Sequence, residues 1–212
     1  MPHTPSSFMV RPAAGKLSPN QLEQLANFMR QRGILSATLP GQGLAVPITA
    51  DTDPDDLRDL LSLPAAPEGH SGLIIRGCPG SAGCKNGQQD TLALAEALEQ
   101  RLAHHALPAK LRVGLSGCPR CCGESYVRDL GFIGTKNGWR LVFGGNAGGK
   151  PRIADTLATN LTTSQALDLA DTLLSHYCAQ AGKNQRTARF VEAVGLASIQ
   201  EALGLKGEGE IE

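Results

Sequence analysis

"RGCPGSAGCKNG" at residues 76–87 and "LSGCPRCCGES" at residues 115–125 decide the reading of this chain. Each sets a cysteine between a glycine and a proline, in a loop made largely of small residues. Glycine lacks a Cβ, so such a backbone can come close to a bulky inorganic object and turn through positive φ. Five of the six cysteines, Cys78, Cys84, Cys118, Cys121 and Cys122, fall in these two loops. Cys178 stands alone in "LLSHYCAQ", where a small apolar residue on a helix is the simpler reading. The apolar runs "GLIIR" (72–76) and "KLRVGL" (110–115) lead into the loops. Each loop is therefore expected where a strand ends, and the two read as halves of one site.

Two kinds of occupant suit clustered thiolates. A structural zinc site pairs cysteines about 2 to 4 residues apart, and the spacing of Cys78 and Cys84 is wider than that, although Cys118 and Cys121 form a C-x-x-C. An iron–sulfur cubane is larger and takes four thiolates at spacings that vary by family. Spacing alone leaves zinc or a dithiol open, and leaves Cys121 and Cys122 as rival fourth ligands.

Composition bounds the rest. The chain has 212 residues, 41% of them hydrophobic, which is enough for a real core. Lys plus Arg and Asp plus Glu are 20 each, so net charge gives no case for nucleic acid, and anions must be handled locally. "MPHTPSSFMV" lacks the pattern of a leader and no run reaches the length of a membrane helix, so the reading is of a soluble, unexported, cytoplasmic protein.

Along the chain, "FMVR" (8–11) predicts a strand, and "LSPNQLEQLANFMRQRG" (17–33) a helix with Ser18 as N-cap, Pro19 at its first position, a capping box to Gln21 and Gly33 as terminator. Leu22, Leu25, Ala26 and Met29 mark its apolar face. "GILSATL" (33–39) and "GLAVPIT" (43–49) predict two strands, and "DPDDLRDLLSL" (53–63) a short helix, making a βαββα unit. A proline-rich joint, "LPAAPEGHSG" (63–72), follows. Beyond it come a helix capped by Asp90, a hairpin from "DLGFIG" and "GWRLVF", a glycine-rich turn, a long helix opened by a Thr162–Gln165 capping box, short helices around Gly195, and a frayed tail at 206–212.

The pattern C-x5-C followed by G-C-P-x-x-C, here "GCPGSAGCKNGQQD" and "GCPRCCGESYVRDLGFIG", resembles the siroheme and [4Fe-4S] domain of sulfite and nitrite reductases. The likeness runs on through "GWRLVFGGNAGGKPR" and "RTARFVEAVGL", and is strongest to the small, low-molecular-weight assimilatory-type sulfite reductases. It implies an α+β fold: a ferredoxin-like half-domain over 1–66, then a mixed α/β siroheme and iron–sulfur domain over 67–212. It also implies that Cys78, Cys84, Cys118 and Cys122 bind the cubane, with Cys122 bridging to the siroheme iron and Cys121 without a role. The activity implied is reduction of sulfite to sulfide, or of nitrite to ammonia, with electrons from a ferredoxin-like or other low-potential donor. The rival reading is a non-catalytic electron-transfer or sensor protein that keeps the cofactors. A single half-domain also suggests a homo-oligomer.

Siroheme is a polycarboxylate, so its pocket calls for Arg, Lys and backbone N–H donors. Arg11, Arg76, Lys85, Arg120, Lys150 and Arg152 are the basic candidates, and "GGNAGG" around Asn146 offers N–H groups. Lys85, Arg76 and Arg120 are also the candidates for handling substrate. Against the family pattern, the chain has Gly43, Leu73, Asn86 and Gln88 where basic residues are expected and Arg120 where asparagine is expected. These departures imply weak handling of the substrate anion.

Overall fold

The computed structural model describes residues 7–10, 15–39, 43–48, 52–63 and 72–205. Arg11, most of the proline-rich joint, residues 40–42 and residues 206–212 lie outside them. The chain divides into two compact units, Met1–Ala66 and Pro67–Glu212.

In the first unit, β1 (Ser7–Val10) pairs antiparallel with β2 (Leu44–Pro47), and α1 (Pro19–Gln31) and α2 (Pro54–Leu60) accompany them. The local chemistry of α1 is as the sequence dictates. The Ser18 hydroxyl accepts from the Gln21 N–H and the Gln21 side chain accepts from the Ser18 N–H, at 3.2 and 2.9 Å. Asp53 caps α2 through the Asp55 N–H. Val10, Leu25, Phe28, Val46, Leu57 and Leu61 form the core. Two expectations need correction. Leu22 is 51% exposed, and Phe28 takes the buried place assigned to it. The strand expected over 33–39 is reduced to one bridge, Thr38 with Ala45, and Leu35 and Leu39 point outward. Ile34 and Ala37 still pack against the core of this unit, so the segment covers it as an irregular stretch, and among the described residues no ladder extends past that pair.

The second unit is built on a five-stranded sheet in the order β3-β4-β5-β6-β7, comprising Leu73–Gly77, Leu111–Ser116, Leu130–Thr135, Gly138–Phe143 and Asp155–Leu161. The β3–β4 and β4–β5 pairs are parallel, and the rest antiparallel. The strand β7 was not anticipated: "DTLATNL" alternates too weakly, and only its pairing with β6 makes it a strand. The connections carry a single turn α3 (Gly80–Gly83) and α4 (Thr91–Leu102); α5 (Thr163–Gln180), α6 (Thr187–Val194) and α7 (Leu196–Ala202) close the chain.

Strand alternation gives the sheet two different faces. One carries Leu111, Val113, Leu115, Leu130, Phe132, Leu141 and Phe143, all at most 1% exposed, beside the buried faces of α4 and α5. The register places Arg76, Arg112, Gly114, Ser116, Gly131, Ile133, Arg140 and Val142 on the other. That second face is the unusual one, because arginine and glycine replace the apolar residues that would complete a three-layer core.

Candidate cluster-binding site

Both cysteine loops leave the carboxyl ends of neighbouring parallel strands. Gly77 and Leu115 are register partners, so the loop carrying Cys78 and the loop carrying Cys118 start side by side. The loops are then stitched together. The Cys78 N–H donates to the Leu115 carbonyl at 3.1 Å, and the Gln88 and Gln89 N–H groups donate to the Gly117 carbonyl at 2.7 and 3.1 Å. The Gly117 N–H donates to the Cys78 sulfur at 3.2 Å.

Such close stacking depends on glycine. A Cβ on Gly80, whose φ is +56°, would lie 2.7 Å from the Gln89 carbonyl oxygen; one on Gly117 would lie 2.6 Å from the Gly80 Cα; one on Gly134 would lie 2.6 Å from the Gly117 carbonyl oxygen. Three backbone layers thus touch with no side chain between them, as the glycine-rich loops require.

Cys121 and Cys122 go different ways. Cys121 has a left-handed φ of 58° and packs against Ile133, Val142 and Ala154. The Ser116 hydroxyl lies 3.7 Å from its sulfur. Ser116 is in turn held by the Ser125 hydroxyl at 2.8 Å and receives the Gly123 N–H at 3.0 Å. Cys122, one residue on, is exposed, whereas Cys118 is buried and Cys78 and Cys84 are half-buried. Cys178 sits half-buried on α5, where burial pushes its thiol pKa up and away from reactivity.

The sulfur spacing tests what the loops fit. Four thiolates on one zinc ion with Zn–S of about 2.3 Å sit about 3.8 Å apart. Among the described residues no three cysteine sulfurs lie within 4.8 Å of one another. The loop sulfurs therefore do not form a closed tetrahedral zinc site.

A basic surface adjoins them. Arg76 and Arg112 project from β3 and β4, and the stem of Arg128 passes over Gly114, where a Cβ would lie 2.8 Å from its Cγ. Arg140 follows on β6 and donates to the Tyr126 hydroxyl at 2.8 Å. Burial, then the nearby charges of Arg76 and Arg112, lower the Arg128 pKa, so cations are crowded at low exposure. Glu124 offsets part of this, pairing closely with Arg128 and more loosely with Arg76 at 4.0 Å. The Nε groups of Arg112, Arg128 and Arg140 are buried without an acceptor. A face with surplus cations and unused donors beside the thiolates fits a polycarboxylate. Arg112, Arg128 and Arg140 were not singled out from sequence, yet the signal was there: in "LRVGLS" and "GWRLVF" the arginines take the phase opposite to the core residues.

The other sequence candidates are distributed as follows. Lys85 and Arg120 lie in the two loops, exposed, and pair with no described residue. Asn146 braces its own turn, donating to the Lys150 carbonyl at 2.6 Å and accepting from the Gly148 N–H. Lys150 is exposed at that turn. Arg152 donates to the Gly144 carbonyl at 2.9 Å and pairs with Asp155. Leu73 registers with Leu111 on the helix-covered face, so the missing basic residue there takes no charge from the arginine face.

The profile of the nitrite and sulphite reductase 4Fe-4S domain matches residues 69–209. The chain belongs to that family. Its members use siroheme and a [4Fe-4S] cluster. An assimilatory-type sulfite reductase of Nitratidesulfovibrio vulgaris is 46% identical over 129 residues, which is 61% of this chain and 59% of that protein. A nitrite reductase (NADH) large subunit of Escherichia coli is 31% identical over 88% of this chain but only 22% of its own length. The matches thus span less than two thirds of these relatives. The solved structure of Mycobacterium tuberculosis NirA shares the fold, with a TM-score of 0.74 at 18% identity, over 93% of this chain and 39% of that one. Dissimilatory sulfite reductase I does so with a TM-score of 0.75 at 14% identity, over 96% of this chain and 70% of that one. Among the described residues no helix is long and apolar enough to cross a membrane.

Proposed function

We propose that the chain is a siroheme- and [4Fe-4S]-dependent reductase of a small oxyanion, with sulfite the preferred substrate and nitrite the second. The observation that carries this reading is the joining of two thiolate loops to an arginine-rich sheet face on neighbouring parallel strands. Cys78, Cys84, Cys118 and Cys122 are assigned to the cubane, because half-buried Cys121 packs against Ile133, Val142 and Ala154 while Cys122 is exposed. Cys122 would hold the siroheme beside the cluster, and Arg76, Arg112, Arg128 and Arg140 would bind its carboxylates. Bound there, the two cofactors supply and pass on the electrons that no side chain stores.

The protein's own part is binding, orientation and charge. The Gly117 N–H at the Cys78 sulfur is of the kind that tunes a cluster's reduction potential. Lys85 and Arg120, exposed on the two loops, are assigned to attract the anion and offset its desolvation, and Lys85 to deliver protons as its oxygens leave. A low-potential protein such as a ferredoxin is the electron donor in this reading.

The test is direct. Anaerobically purified protein should show both a siroheme and an iron–sulfur spectrum, and with a viologen donor should turn over sulfite faster than nitrite. A cluster-only spectrum, or both chromophores without turnover of either anion, would replace this reading with the electron-transfer or sensor alternative.

A further inference from the structure

We propose that His104, His105 and Asp171 form a second metal site, for a single transition-metal dication, on the helix layer and apart from the cysteine loops. The site ties the C-terminal end of α4 to the middle of α5. Their ligand atoms lie within 4.8 Å of one another, the only such trio of His, Cys, Asp or Glu among the described residues. Thr91, at the start of α4, bonds the Cys78 carbonyl. Twelve residues at 1.5 Å each put the far end of α4 about 18 Å along its axis from there, so the two centres are distinct.

The geometry is nearly that of a coordination sphere. Ligands at 2.0–2.2 Å around a tetrahedral ion sit about 3.3–3.6 Å apart. His104 Nε2 lies 3.6 Å from Asp171 Oδ1, too far for a hydrogen bond and right for a shared ion. His105 Nε2 meets the same oxygen at 2.7 Å, as a hydrogen bond, and needs to open by less than 1 Å to admit one. A water completes the fourth position. Two imidazoles and one carboxylate suit zinc, nickel or copper, not magnesium or calcium, which take oxygen.

The surroundings prepare the site. Arg101 donates to Asp171 Oδ2 at 3.0 Å, which orients the carboxylate with Oδ1 toward the histidines, as an outer-shell partner does. Asp168 takes the rest of the Arg101 guanidinium at 2.7 Å, so two carboxylates face one arginine and the local balance is negative. Both histidines also follow the last turn of α4, where helix carbonyls favour a cation.

A plain helix-to-helix clamp needs only Arg101, His105 and Asp171. The His104 ring also stacks on that of His105, with centroids 4.1 Å apart, but stacking alone does not require its Nε2, on a side chain 64% exposed, to stand 3.6 Å from the same oxygen. His104 is therefore the residue that separates the two readings; its removal also uncovers the His105 ring, so each protein's zinc response is compared with its own metal-free state. The measurement is zinc binding by calorimetry, together with the zinc-dependent rise in unfolding temperature, on the cofactor-loaded protein and its His104→Ala variant. The wild type should bind one zinc that the variant binds at least tenfold more weakly. Zinc should raise the wild-type unfolding temperature more than the variant's, and magnesium should raise neither. Equal affinity and equal temperature shifts in the two proteins, or the same response to magnesium, would overturn the assignment.

Discussion

Gly80 shows how much of the site rests on single atoms. Its φ is +56°, and a Cβ there would lie 2.5 Å from the Thr91 hydroxyl and 2.7 Å from both the Gln89 carbonyl oxygen and the Thr91 N. Two of those three neighbours are backbone, so nothing nearby can swing away. Gly80→Ala should destabilise the protein by about 2 kcal/mol or more, and should lower the iron content of the purified protein because the first loop can no longer close on its own far end at Gln89 and Thr91. Denaturant titration and iron and acid-labile sulfide analysis measure the two effects. Cys121 and Cys122 make the same point differently. The left-handed turn at Cys121 reverses the direction of successive side chains, so one sulfur enters the packing beside Ile133 and the next leaves it. The sequence "CC" carries no sign of that turn, and so spacing alone left the two as rivals.

At the scale of elements, the arginine face depends on the segment between β4 and β5. Asp129, 1% exposed at the end of that segment, accepts from the Arg112 N–H at 2.8 Å, the Thr187 hydroxyl at 2.8 Å and the Arg186 guanidinium through both oxygens. One buried carboxylate thus ties β4, the start of β5 and the start of α6. Asp129→Ala strands the Thr187 hydroxyl and the Arg112 N–H and should cost about 3 kcal/mol, read as a lower denaturation midpoint at unchanged slope. On the opposite face, burial, then the Asp129 charge, raise the Tyr177 pKa well above its ordinary value. The unfolded chain loses that proton near pH 10 while the folded one keeps it, so stability falls as pH rises past about 10. Tyr177→Phe should flatten that alkaline fall when midpoints are compared between pH 8 and 11.

Helices with explicit caps were legible from sequence, since Ser18, Asp53, Asp90 and Thr162 satisfy backbone donors close by in the chain. Strand β7 was not, because it depends on a partner far away in sequence; the phase of Arg112 and Arg140 was legible, but not that they meet Arg76 and Arg128 on one face. The contrast at β3 is instructive: Leu73 and Arg76 are close in sequence, yet the pleat sends them to opposite faces.

For the whole molecule, charge is the quantity that matters. The formal net charge is zero, so attraction of an anion has to come from a local field. Asn86 and Gln88 leave the first loop with Lys85 as its only cation past Cys84, and Arg120 is the cation of the second. Arg112, Arg128 and Arg140 are half-buried or buried on the sheet face, where they suit a resident polycarboxylate better than a passing anion. Lys85→Ala and Arg120→Ala should each lower kcat/KM for sulfite by about tenfold, equivalent to about 1.4 kcal/mol, and leave the absorption spectrum unchanged. Steady-state rates with a viologen donor, taken beside the spectra, separate loss of substrate handling from loss of cofactor.

The account stands most heavily on which cysteine completes the cluster. Anaerobic absorption and EPR spectra, with iron and sulfide counts, on Cys121→Ser and Cys122→Ser measure it directly. Cys121→Ser should keep wild-type iron, sulfide and coupled spectra, because its side chain packs beside Ile133, Val142 and Ala154 with the Ser116 hydroxyl at its sulfur. Cys122→Ser should lose the cluster, or leave a cluster and haem that no longer couple. Equal loss in both variants, or loss in Cys121→Ser alone, would contradict the arrangement of the site.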